Sequence, residues 1–314
     1  MLRGRERGIL LGLLVLLAAV PALRDSFYTG LASRAMIFGL AALGLDVVVG
    51  FGGMISFGHA AYFGLGAYTV AVLARAGVNE ALIAWPAAIL VASLAGAVIG
   101  GLSLRTRGAS FIMITLAFAQ MIFFIVSGLP ILGSSDGLGL ARRNTLAGLP
   151  LGDANSFHYV VLALLAGMTL WTAFLAQTPF GRTVDGIRQN ETRMRALGYD
   201  PLQYQIVCFT YGSAVAGLAG ALAANQMLFV SPDNLHWITS GTFLVIIILG
   251  GLRVPYGPVL GAAVLILLEE FLAELTEHWM LILGPLLIAI VLLGGNGIAG
   301  LLAQKPRASH EPAA

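Results

Sequence analysis

The chain is poor in the residues from which soluble proteins and metal sites are built. Its single cysteine, Cys208, cannot form an internal disulfide, and no Cys/His cluster offers a metal site. Charged residues make up 10% of the chain, far below the roughly 25% usual in soluble domains. There is no GxxxxGK[ST] phosphate loop, so the chain does not bind ATP in the usual way. No Ser/His/Asp arrangement points to an enzyme, and the net charge of +2 gives no ground for nucleic-acid binding. What remains is 58% hydrophobic residues. That composition implies an all-α, polytopic transmembrane helical bundle whose surroundings are the lipid bilayer.

A span needs about 20 mainly apolar residues. Ten candidates follow, at 8–23, 31–51, 54–76, 82–104, 109–132, 156–178, 204–230, 236–250, 254–273 and 279–300. The first follows a basic head, a layout shared with signal peptides, and reads as an uncleaved span. With a cytoplasmic N-terminus, 12 of the 17 Lys and Arg fall on the cytoplasmic side. The other five, Arg24, Arg34, Arg75, Arg142 and Arg143, fall opposite. This bias supports cytoplasmic N- and C-termini and an even number of spans. The acidic cluster Glu269, Glu270, Glu274 and Glu277 then lies at the outer surface. One transmembrane domain is expected over 1–303, with a cytoplasmic loop at 178–203. The polar tail 304–314 is expected to be disordered and cytoplasmic.

Within this apolar chain, Gly50 to Tyr68 stands apart, with six glycines, a serine and a histidine. Glycine weakens a helix interior by about 1 kcal/mol relative to alanine. Irregular backbone at membrane depth survives only where protein buries it or it lines a wet cavity. Gly52, Gly53, Ser56 and Gly58 are therefore candidates for a solute path, or for a packing seam beside one. A short echo, Gly250-Gly251 followed by Tyr256-Gly257, repeats the Gly-Gly, gap, aromatic, Gly order of Gly52-Gly53 and Phe57-Gly58. Interrupted segments in corresponding halves often mark a transport site, although glycine abundance makes chance a rival. The span count places both copies in the same orientation.

Polar residues inside spans are expensive and often functional. Asp46, deep in the second span, reads as a helix-bracing carboxylate, with His59 or Ser56 as partner, in preference to a proton relay. His59 reads as a neutral ring bonded to a carbonyl freed by the local glycines, shaping the path. Gln120 and Asn225 are further pathway candidates, each read more plainly as an interhelical hydrogen bond. Gly212, Ala216, Gly220 and Ala224, with Ser213, Gly217 and Ala221 beside them, form small-residue rows that let helices approach closely.

The longest basic loop, Thr178 to Tyr204, opens on an N-cap threonine with proline at the first helical position. The helix is expected to close near Gly198, with Asp200-Pro201 starting the next. Asp185 can meet Arg188, and Glu191 can meet Arg195. Phe180, Val184, Ile187, Met194 and Leu197 form an apolar stripe at helical period, interrupted by Glu191. A membrane-surface helix and a helix docking a cytoplasmic partner fit this pattern equally well.

Three blocks resemble a known family: GLDVVVGFGGMISFGHAAYFGLGAY, FGRTVDGIRQNETRMRALGYDPLQY and LGGLRVPYGPVLGAAVLILLEE. They are similar to permease subunits of branched-chain amino acid ABC transporters, of the LivM-like kind. The triplet Asp136-Gly137-Leu138 fits the same family. The resemblance covers nearly the whole chain after the first span. It implies an inner-membrane importer with a second, related permease, two cytoplasmic ATPase subunits and a periplasmic binding protein. ATP and Mg would be held by the ATPases, with no cofactor in this chain. It also implies that Arg182, Asp185, Arg188, Glu191, Arg195, Ala196 and Gly198 form the segment that contacts the ATPase. Gln205 departs from the basic residue found there in many relatives. Related permeases also serve urea, amides or other amino acids, and an ion-coupled secondary transporter or passive channel is the rival class.

Overall fold

A computed structural model describes residues 4–276, 278, 281–285, 287–288 and 297–303. Twelve helices are named here. In chain order they are α1 (Gly4–Ala19), α2 (Ser26–Asp46), α3 (His59–Arg75), α4 (Ala81–Ser103), α5 (Ala109–Gly128) and α6 (Ala154–Leu175). Then come α7 (Pro179–Gln189), α8 (Glu191–Ala196), α9 (Pro201–Met227), α10 (Trp237–Gly250), α11 (Gly257–Leu275) and α12 (Gly297–Ala303). Among the described residues, five helical stretches are long and apolar enough to cross a membrane: Ser26–Phe51, Ala81–Ser103, Ala109–Gly128, Ala154–Leu175 and Pro201–Met227. Gly8–Leu23 and Trp237–Gly250 are shorter apolar helices. The protein is thus an all-α, multi-pass membrane protein.

The bundle is built around α9. Asp200 caps it, its carboxylate accepting from the Leu202 N–H, and Pro201 occupies the first turn, where no amide donor is required. The helix packs against α2, α3 and α4. Its small residues explain how. Gly212 lies against the Gly44 carbonyl, Gly217 against the backbone of Gly66, and Gly220 against the Phe63 carbonyl. Any side chain at these contacts would drive two backbones apart, so the small-residue rows are the packing seam itself. The burial of the long helices follows this arrangement. The most apolar window is 78% buried in Ser26–Phe51 and 67% in α9, but only 22% in α5, which leaves α5 as a peripheral helix with an apolar outer face.

At one end, the bundle closes with two short antiparallel strand pairings, the second of them a hairpin. Leu138 pairs antiparallel with Val230, and Thr145 with Pro150. Arg143 donates to the carbonyls of Asn225 and Gly152 and stacks over Phe157. Burial pushes the Arg143 guanidinium below its ordinary pKa, opposed by the charge of Asp153. The opposite end carries α7 and α8.

Several boundaries differ from the sequence expectation. The third span was expected from residue 54, but α3 starts at His59; Met54 to Gly58 is non-helical. The fifth ends at Gly128 rather than 132, because Pro130 cannot continue the ladder and Leu129 adopts an extended conformation. The ninth helix starts at Gly257 instead of 254. Half of the tenth span, including 289–296, falls outside the described residues, as does the whole tail 304–314.

Candidate functional site

The two Gly-Gly segments form two breaks in the helical framework, and α7 touches both. In the first, α2 passes into a five-residue π-turn, Val47–Phe51, and the chain leaves helical geometry at Gly53, where φ is +70°. Only glycine adopts that conformation without strain. A Cβ on Gly53 would sit 2.7 Å from Cγ of Arg188 on α7, so the arginine stem rests directly on the turn. The segment then runs to α3. Ser56 Oγ accepts from the Gly58 N–H at 3.1 Å. The Ala60 N–H, one of the unpaired donors at the start of α3, donates to Ser240 Oγ of α10 at 2.8 Å.

The second break follows α10. Gly251 has φ +109° and Arg253 has φ +65°, a left-handed conformation that is strained for a non-glycine residue. Three contacts hold Arg253 there. Its N–H donates to Asp46 Oδ1 at 3.1 Å. Its guanidinium donates to Asp185 Oδ1 of α7 at 2.7 Å and lies over the Phe51 ring. Asp185 also pairs with Arg188 at 3.1 Å. One carboxylate therefore joins the arginine that presses on the first break to the arginine that belongs to the second.

The residue entering each following helix has nearly the same backbone. Gly58 has φ −91° and ψ −9°, and Tyr256 has φ −92° and ψ −8°. The echo seen in the sequence is thus also an echo in geometry.

Beside the first break is a cavity of about 410 Å³ whose lining includes Gly52, Gly53, Arg107, Arg188, Glu191 and Gln205. Glu191 reaches Arg107 at 2.5 Å and Arg195 at 2.8 Å. It is tied within the chain rather than presented outward. The expected continuous helix from Thr178 to Gly198 is also interrupted. Asn190 is extended (φ −158°, ψ 96°), and its side chain caps the Arg193 N–H, so α8 begins anew. Val184 and Ile187 bury the apolar stripe of α7, and Phe180 stacks on Tyr204, while Leu197 is 65% exposed. Arg182, Arg195, Ala196 and Gly198 are exposed at this end.

The remaining candidates separate. Asp46 is buried and braces a helix, but through Arg253, not His59 or Ser56 as expected, because the second break delivers a backbone donor to it. His59 was expected to bond a carbonyl. Instead it is fully buried between Tyr62 and Phe209, and neither ring nitrogen has a hydrogen-bond partner among the described residues. Asn225 lies at the hairpin end, donating to the Ala221 carbonyl and accepting from the Asn144 N–H at 2.7 Å, so it ties a loop to α9. Gln120 is half-buried on α5 and joins neither break. Gly250 lies against the Gly257 carbonyl, which makes it a close-packing residue at the second break. Arg253 was not singled out from the sequence beyond its side of the membrane. Its place inside the Gly-Gly echo was the available signal. Ser240 carried none.

The family described as "Branched-chain amino acid transport system / permease component" matches residues 27–291. The high-affinity branched-chain amino acid transport system permease protein LivM of Escherichia coli (strain K12) is 30% identical, over 94% of this chain and 75% of its own length. LivM of Salmonella typhimurium is 29% identical over the same shares. The corresponding protein BraD of Pseudomonas aeruginosa is 24% identical over 84% of this chain and 91% of its own. No solved structure matches.

Proposed function

Because the chain belongs to the permease components of branched-chain amino acid transport systems, we propose that it is a membrane-spanning subunit of an ATP-driven importer that carries branched-chain amino acids into the cytoplasm. As a transporter component it is not itself catalytic. It sits in the bacterial inner membrane with both termini cytoplasmic, paired with a second, related permease. Two ATPase subunits holding ATP and Mg dock at the α7–α8 end, and a periplasmic binding protein delivers substrate at the hairpin end.

The observation that carries this reading is the position of α7. It contacts both helix breaks at once, through Arg188 on Gly53 and through Asp185 on Arg253. A helix so placed converts a push from a cytoplasmic partner into movement of two non-helical turns. Leu197 and Tyr199 are exposed close in sequence to the exposed Arg193 and Arg195, and so offer that partner apolar and basic groups together. Glu191 acts in this scheme by holding α8 to Arg107. Glu191→Lys then lowers coupling by loosening α8.

The test is leucine uptake into vesicles holding this chain with its partner permease, ATPases and binding protein. Uptake that stops when this chain or ATP is left out supports the importer, and competition by valine or by urea separates the substrate classes. Solute movement by this chain alone, without ATP, overturns it.

A further inference from the structure

Arg34 and Glu269 form an ion pair between α2 and α11, each more than a turn inside its helix and with its side chain partly exposed. Arg34 is eight residues into α2, about 12 Å along the helix at 1.5 Å per residue. Glu269 is six residues before the end of α11, about 9 Å short of it. Charges placed inside membrane-spanning helices are costly and mark function by default. This pair is also loose. Its shortest contact, Arg34 Nη2 to Glu269 Oε2, is 3.5 Å long, against about 2.8 Å for a tight charge-assisted hydrogen bond. Arg34 Nε is buried and has no hydrogen-bond partner among the described residues. The guanidinium is placed by the Phe38 ring, 5.6 Å below it.

The pair faces space of the right chemistry. A cavity of about 230 Å³ is lined by Arg34, Phe38, Thr239, Thr242 and Glu269, among others. It adjoins a second cavity of about 630 Å³, which shares Thr242 and Glu269 and is otherwise walled by apolar groups such as Phe57, Trp237, Val245 and Leu265. Binding sites for small molecules combine an apolar body with a few convergent polar groups. Here those groups are one cation, one anion, two hydroxyls and the amide residue Asn234 at the edge of an apolar chamber. Phe57 immediately precedes Gly58, so one wall of the chamber belongs to the first helix break.

We propose that Arg34 and Glu269 are a substrate-binding site for the charged head of an aliphatic α-amino acid, with its side chain in the apolar chamber. The inference rests on the importer reading and names the permease residues that would touch its substrate. Arg34 takes the carboxylate, Glu269 takes the ammonium, and the two neutralise each other when the site is empty. A zwitterion satisfies both charges by exchange, whereas a molecule carrying only one of its charges leaves the other partner unpaired.

The test uses the complete importer in proteoliposomes and the thiol introduced by Thr242→Cys. Leucine at millimolar concentration is expected to slow N-ethylmaleimide labelling at position 242, read on this chain by mass spectrometry. 4-Methylpentanoate and 3-methylbutylamine, which each lack one charge, are expected not to. Arg34→Gln and Glu269→Gln should each cut leucine uptake by more than about tenfold, the effect of removing one charged hydrogen-bond partner. The double variant separates a substrate site from a purely structural pair. If the pair only braces helices, removing both charges restores uptake toward normal; if it binds substrate, uptake stays lost. Unchanged labelling with leucine present, in a complex that still transports leucine, overturns the site and leaves the importer reading intact. So does restoration by the double variant. A wild-type complex that transports no amino acid removes both.

Discussion

The two helix breaks share a plan and are held in different ways. At Gly53 the turn is held by shape: an arginine stem lies on a glycine that has no side chain to resist it. At Arg253 the turn is held by charge and hydrogen bonding, from a buried carboxylate on one side and a half-exposed one on the other. The turn at Gly53 should therefore hardly respond to salt. The second break should respond to charge, and its outer contact should weaken as ionic strength rises. Both responses meet at Asp185, the residue through which α7 senses the two turns together.

The strongest way to break this comparison is steric. Gly250→Val places a Cβ against the Gly257 carbonyl, where no side chain can give way. We expect a loss of about 3 kcal/mol, the upper range for overpacking, read as a fall in assembled protein after detergent extraction. Gly53→Ala meets only the movable stem of Arg188 but must hold φ +70°. It should cost about 1 kcal/mol, and equal losses in the two variants would contradict the difference drawn between these sites.

Next in size is Asp46→Leu, which leaves the Arg253 N–H unpaired in a part-buried place, a change of about 2 kcal/mol. Asp46→Asn keeps an acceptor and should be much milder in thermal unfolding of the purified protein. If the two are equally damaging, the negative charge matters and not the hydrogen bond. Asp185→Asn removes two partly exposed ion pairs, to Arg188 and Arg253, each worth under about 1 kcal/mol to stability. Its uptake should nevertheless fall, and normal uptake would show that α7 acts without its link to Arg253. The smallest effect is expected for His59→Leu. The ring has no polar partner among the described residues, so the melting temperature should shift by the equivalent of about 1 kcal/mol or less. A much larger loss would reveal a bond to this ring.

Legibility in the sequence followed the physics of each signal. Membrane helices announce themselves by length and hydropathy, and the small residues of α9 announce close packing, because both properties are local and periodic. The glycine breaks were legible for the same reason, since an apolar span has no other use for Gly52 and Gly53. The caps at Thr178 and Asp200 were readable from single residues. The interruption at Asn190 was missed because the stripe on either side keeps helical spacing, and a cap inside a charged stretch resembles an ordinary polar position. Partner identities were not legible. Asp46 finds an amide 207 positions away, and Ser240 finds one 180 positions away. Such pairings are set by how helices cross, and one chain read alone contains no record of them. The same holds for the pairing of Arg34 on α2 with Glu269 on α11.

The central place of α9 bears on how the protein is made. Its glycine seams fit grooves on α2, α3 and α4, all of which are synthesised well before it. On the ribosome, those helices enter the bilayer with backbone surfaces such as Gly66 still uncovered, in contact only with lipid. Helices in lipid associate through close packing and not through hydrophobic burial. In the early half of the chain α3 can pack on α4 and α2 on α6, but the seams that receive α9 stay open until it arrives. A chain cut before α9 should reach the membrane and be removed there by quality control, and one cut just after Met227 should be the shortest that resists proteolysis.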